Sequence, residues 1–152
     1  MYRKRKPAIL FFVFALAVLF LILVVRIFFS PAHSAKSAVH DFYEYEAQGD
    51  YSKSWSLLHP LMKAKWPKGA YMQDRVHVFI GHFGAETFTY DIDGGDKIKK
   101  WIMAKGVPPI KVVYQFQVTQ QYHGKYGSFK FIQDVYAVKN KGKWEILWDY
   151  NQ

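Results

Sequence analysis

Residues 8–25 read AILFFVFALAVLFLILVV, 18 consecutive apolar residues without a charge. At about 1.5 Å rise per residue they give roughly 27 Å of helix. Adding Arg26, Ile27, Phe28 and Phe29 brings the segment to about the ~30 Å depth of a hydrocarbon core. The long Arg26 stem lets its guanidinium reach the headgroups. No water-soluble fold needs such a run, so the segment predicts a membrane anchor that contacts lipid through residues 8–29. Arg3, Lys4, Arg5 and Lys6 precede it with no carboxylate among them. Short flanks rich in Lys and Arg stay in the cytoplasm. This predicts a single-pass cell-membrane protein with residues 1–7 as a cytoplasmic tail, a linker over 30–36 and an extracytoplasmic domain over 37–152. The run exceeds the ~7–15 residues of a secretory h-region. Cleavage at the small residues of Ala32-His33-Ser34 is the alternative to a retained anchor.

Lys36 to Gln152 is 117 residues, the size of one domain, large enough to fold without staples. The absence of cysteine removes disulfides, thiolate catalysis and zinc–thiolate sites. A cysteine-free exported domain suits an envelope that does not depend on oxidative folding, such as that of a Gram-positive bacterium. The net charge is +9. Beyond residue 36 inclusive, fifteen Lys and one Arg oppose twelve carboxylates, an excess that reads as spread along the chain. One arginine in sixteen cations argues against base reading or dedicated phosphate recognition, so no nucleic-acid partner is expected. Seven Phe, ten Tyr and five Trp in the same region predict a large core or an aromatic pocket.

The spacing of Ala35, Ala38, Val39, Phe42, Tyr45 and Glu46 predicts a helix from about Ser34 to Ala47. Gly49 closes it and Asp50 caps a second helix over Tyr51–His59, which Pro60 ends. A third helix is predicted over Ala70–Phe83, with Met72, Val76, Phe79, Ile80 and Phe83 as its buried stripe. The period then becomes two. Phe88, Tyr90 and Ile92 share one face of a strand, and Asp93-Gly-Gly-Asp96 reads as a turn. Lys97 to Lys105 is ambiguous between strand and helix. Val112, Tyr114, Phe116 and Val118 alternate in the next strand, and His123 to Gly127 is a hairpin loop. Phe129 and Phe131 fall on the opposite parity to Ile132, Tyr136 and Val138, which predicts a bulge near Phe131–Asp134. Asn140 to Lys143 is a second hairpin turn. Trp144, Ile146, Trp148 and Tyr150 share a face of the last strand. Helices followed by an antiparallel meander make an α+β domain, three helices on a curved sheet.

This order resembles the NTF2-like (cystatin-like cone) superfamily. So do a first helix ending Gln48-Gly-Asp50, the Tyr51-Ser-Lys-Ser-Trp55 and Leu58-His59-Pro60 segments, and the close Gly142-Lys-Trp144-Glu-Ile-Leu-Trp148-Asp149-Tyr150. The ending is similar to the NTF2-like domain that precedes the transpeptidase domain of some Gram-positive penicillin-binding proteins. The resemblance covers residues 34–152 and implies no transpeptidase activity. A span followed by this fold also resembles assembly scaffolds of secretion and conjugation channels. The superfamily hosts both enzymes and inert scaffolds. Its enzymes set an Asp or His base and a Tyr or Trp donor inside the cone, which for this chain implies a lining of Tyr43, Tyr114, Asp134, Tyr136 and Trp148. A ketosteroid-isomerase-type lyase or isomerase would use Asp134 as base.

The remaining motifs point away from chemistry. His77 and His82, five apart, lie about 140° apart around an α-helix and so do not share a face. There is no HExxH, and Ser52, Ser54 and Ser56 lack a matched base. No metal or other cofactor is expected. Lys125 and Tyr126 on one hairpin, with Lys139, Lys141 and Lys143 on the other, are candidate surface-binding residues, although lysines on turns also guard edge strands. The sequence therefore predicts a non-catalytic binding or scaffold domain. A protein partner, a small envelope ligand or a second copy of the chain would occupy its sheet face or edge.

Overall fold

The computed structural model describes residues 6–28 and 30–149. Arg3, Lys4 and Arg5 of the basic tail, Phe29 of the anchor and Tyr150 of the last strand lie outside the described residues. The chain is α+β, with one N-terminal apolar helix, further helices and a four-stranded antiparallel sheet in the order β1-β2-β3-β4.

Helix α1 spans Lys6–Phe28. Within it Ile9–Arg26 is long and apolar enough to cross a membrane, and none of that stretch is buried against protein. Helix α2 (Pro31–Ala47) starts earlier than its apolar stripe suggests. The Ser30 hydroxyl accepts from the His33 N–H and Pro31 occupies the first turn, so cap and proline extend the helix through the segment read as a linker. Its buried face is Ala35, Val39, Phe42, Tyr43 and Glu46. Helix α3 (Tyr51–Ser56) is capped by Asp50 as expected, but it is shorter than the predicted Tyr51–His59. The chain leaves it to pair with the sheet. The His59 N–H donates to Ile146 O and the Ile146 N–H to Leu57 O, both at 2.9 Å, which covers the free edge of the last strand. Pro60 does not merely end a helix. It opens α4 (Pro60–Lys65), with His59 as its cap.

Helix α5 (Lys68–Arg75) runs into a π-helical segment, Val76–His82. The wider turn re-sorts the predicted stripe. Tyr71 is buried, while Val76, Ile80 and Phe83 are exposed.

Strand β1 (Phe88–Trp101) passes straight through the predicted turn at Asp93–Asp96. Gly94 and Gly95, at φ +92° and +125°, form a bulge there, and pairing with β2 (Ile110–Gly124) resumes beyond it. A Cβ on Gly94 would stand 3.2 Å from Gln115 O, so the crossing needs glycine on conformational and steric grounds. The ambiguous Lys97–Lys105 stretch is therefore strand as far as Trp101. Strand β3 (Gly127–Asn140) pairs with β2 in unbroken register, and the predicted bulge near Phe131–Asp134 is absent. The parity change has another cause. Val135, Tyr136, Ala137 and Val138 are all buried because both faces are covered at that end. Val135 and Ala137 lie on the face under α2, with Phe116 and Ile146 beside them in the register. Tyr136 lies on the opposite face, where Trp101 stacks on it at 4.2 Å and Met103 is buried nearby in sequence. The last turn, Lys141-Gly142, has φ +48° and +84° and leads into β4 (Lys143–Leu147).

Candidate functional site

Among the described residues the helix-covered face holds a buried charged cluster centred on Glu46. Glu46 is 3% exposed. Its Oε1 accepts from the Ser54 hydroxyl and from the Tyr71 hydroxyl at 2.6 Å. Its Oε2 faces Arg75 Nε at 3.2 Å. Helices α2, α3 and α5 each contribute to this set. A carboxylate inside a core is tolerated because two hydroxyls donate to it and a guanidinium pairs with it. Burial pushes the Tyr71 hydroxyl well above the usual phenol range, against the pull of Arg75, so it stays a donor. The Arg75 guanidinium carbon lies 5.1 Å from the Tyr71 ring centre and 5.7 Å from that of Phe79. Sequence reasoning includes Glu46 in the helical spacing of α2 and misses the cluster. The available signal was that Arg75 is the only arginine beyond the anchor.

Sharing Tyr71 and Arg75 with this cluster is a cleft of about 210 Å³, lined further by Trp66, Asp74, Val78, Phe79 and Trp148. The Trp148 ring lies 5.5 Å from that of Trp66 and 6.3 Å from that of Phe42. Of the exposed apolar residues Val76, Val78 and Ile80 of the π-helical segment, Val78 lines this cleft. A larger cleft, about 570 Å³, lies at the start of α2. Pro31, His59, Lys111, Tyr114, Lys139 and Trp144 line it.

The five residues assigned to one cone lining do not meet at one place. Tyr43 is buried and donates to Gln133 Oε1 at 3.1 Å, with burial raising its hydroxyl above the ordinary range. Tyr114 faces the large cleft, edge-on to Trp144 at 5.7 Å, and Trp148 faces the small one. Tyr136 is on the other side of the sheet. Asp134 shares its parity and is exposed, so the carboxylate that an isomerase would keep desolvated is at the surface.

The surface residues also separate. Lys125 and Tyr126 sit on the β2–β3 turn, and Lys139, Lys141 and Lys143 sit around the β3–β4 turn, at opposite ends of β3. Lys125 is clasped: its N–H donates to Phe83 O at 3.0 Å, its stem lies against Gly84 and its Nζ is over the Tyr126 ring. Tyr126 itself is 82% exposed.

Charge that reads as spread along the chain is segregated by the topology. In residues 94–116 and 135–147, which the register puts at the α2-start end of the sheet, eight lysines face two carboxylates, Asp96 and Glu145. In residues 86–93 and 117–134, at the other end, two lysines face four carboxylates.

The π-helical turn corrects one more expectation. It brings His77 Nε2 and His82 Nε2 to 2.9 Å, although an α-helix would hold the two rings apart. Among the described residues no group of three or more His, Cys, Asp or Glu is placed to hold a metal. Comparison of the sequence with family models and with characterised proteins returned no match.

Proposed function

We propose that the chain is a membrane-anchored, extracytoplasmic NTF2-like domain that binds rather than catalyses. Its α1 helix lies in lipid, its basic tail stays in the cytoplasm, and its cone engages a protein partner or a small envelope ligand through the 210 Å³ cleft. The observation that carries this reading is the pairing of an 18-residue apolar stretch that none of the described residues covers with a domain whose buried polar groups are already committed. Among the described residues every buried side-chain nitrogen and oxygen has a hydrogen-bond partner. The Glu46 carboxylate accepts from two hydroxyls and pairs with the Arg75 guanidinium, and Asp134 lies in solvent. What stays open to a ligand is the cleft with its two tryptophans and the exposed apolar residues of the π-helical segment, a mixture typical of recognition surfaces.

The test is site-specific photocrosslinking in intact membranes. A crosslinker at Val78, on the cleft wall, should give a discrete adduct that the same crosslinker at Asp134 does not. Adducts of equal yield at both positions, or none at Val78, would remove the cleft from the account.

A further inference from the structure

The lysine-rich end of the sheet is also the end nearest the anchor. Pro31 lines the 570 Å³ cleft together with Lys111 and Lys139. It stands three residues after Phe28, the last residue of α1. Three residues of chain reach at most about 11 Å. Covalent geometry alone therefore keeps the Pro31 side of this cleft within about a headgroup's depth of the end of α1.

The chemistry of that end fits an anionic surface. Lys97, Lys99, Lys100 and Lys105 come from the far half of β1 and the loop after it. Lys111, Lys139, Lys141 and Lys143 come from the start of β2 and the β3–β4 hairpin. All eight are exposed. Of the two carboxylates on the strands at this end, Glu145 is tied to the Asn140 amide at 2.9 Å, and Asp41 of α2 lines an adjoining cleft with Lys143 and Trp144. None of the residues lining the cleft is acidic. Apolar and aromatic groups stand among the lysines. Ile102 is 51% exposed on the same loop, and Trp144 lies at the cleft with Lys139 Nζ 5.9 Å from its ring centre. Exposed lysines interleaved with an apolar residue and a tryptophan make an interfacial composition.

We infer that this end of the domain rests on the anionic lipid headgroups of the bilayer that holds α1, with a headgroup entering the cleft between Lys111, Lys139 and Trp144. The inference rests on the anchor reading of α1. The contact fixes which way the domain faces. The clefted π-helical side stays clear of the bilayer, and the β2–β3 hairpin with Tyr126 points away from it.

The absence of cysteine permits single-site labelling of the full-length chain. A fluorophore is placed at Pro109→Cys, in the basic loop, or at Tyr126→Cys, at the far hairpin, and the protein is inserted in lipid nanodiscs carrying nitroxide-headgroup lipid. In discs rich in phosphatidylglycerol the label at 109 should be quenched several-fold more than the label at 126. The difference should shrink in purely phosphatidylcholine discs. It should shrink again when salt rises from 0.1 M to 1 M, which shortens the Debye length from about 10 Å to about 3 Å. The K139Q/K141Q/K143Q variant, its fold checked by circular dichroism, should lose part of it. Quenching that is equal at the two sites, or indifferent to lipid charge, overturns the inference. Failure of the protein to enter discs at all overturns the anchor reading instead.

Discussion

Arg75 Nε stands 3.2 Å from Glu46 Oε2, and this pair bridges α2 to the start of the π-helical segment. Glu46 is almost fully enclosed and the Arg75 side chain is 19% exposed, so neither charge is freely solvated. Removing one partner strands the other. Arg75→Met should cost about 3–5 kcal/mol in urea unfolding. Tyr71→Phe, which removes only one donor to the same carboxylate, should cost about 1–3 kcal/mol. Equal effects for the two would mean that the carboxylate draws little from the guanidinium.

The β2–β3 hairpin is locked to the end of the π-helical segment through Gly124. A Cβ at that position would fall 2.3 Å from Phe83 O, a backbone atom with no freedom to retreat. Phe83 and Phe129 rings pack beside it at 5.0 Å. Gly124→Ala should destabilise the domain by about 1–3 kcal/mol. Gly69→Ala is the matched control, since it lies in α5 with no atom within 4 Å of the added methyl, and it should be neutral or stabilising by up to about 1 kcal/mol. Thermal melts of the two variants separate the outcomes.

His59 makes stability depend on pH. Burial lowers its pKa below the ordinary histidine value and Lys63 adds to this, while Glu145 opposes it. Its Nδ1 accepts from the Leu61 N–H at 3.2 Å at the start of α4, an interaction that the neutral ring alone can make. The folded pKa lies below the unfolded value of about 6.5, so the unfolded chain takes up the proton first. The contribution is therefore complete above about pH 6.5 and is lost as pH falls from there through the folded pKa. His59→Asn keeps a capping oxygen without a titrating ring and should flatten that part of the profile in urea midpoints measured between pH 7 and pH 5.

Much of the architecture is written in local pattern. The α2 stripe, the Asp50 cap, the alternation of β2 and the Lys141-Gly142 turn depend on residues near one another in the chain, and all are found. The misreadings share a cause, which is dependence on distant partners. Gly94-Gly95 reads as a turn until Gln115 and Phe116 are seen running against it. Pro60 reads as a stop until Ile146 is seen holding the preceding residue. The stripe from Met72 to Phe83 assumes an α-helical period that the π-helical turn replaces. The Glu46–Arg75 pair and the lysine-rich end exist only once helices and strands are assembled. Tyr136 and Asp134 enter the lining through the resemblance, while the register puts them on the sheet face away from α2, with Asp134 exposed.

Tyr43 and Asp134 give contrasting tests of the lining once attributed to them together. Tyr43→Phe deprives Gln133 of its partner in a part-buried setting and should cost about 1 kcal/mol. Asp134→Asn, at an exposed position, should change unfolding free energy by less than about 0.5 kcal/mol. A large loss for Asp134→Asn would place that side chain in the interior after all.

The account turns on α1 holding the folded domain on the outer side of a membrane. Single cysteines at Lys4 and at Tyr126, treated in intact cells with a membrane-impermeant maleimide, measure this directly. Labelling at 126 in intact cells, with labelling at 4 only after permeabilisation, is the predicted result. Labelling at 4 but not at 126 before lysis, or recovery of the unlabelled chain in the soluble fraction, would contradict it.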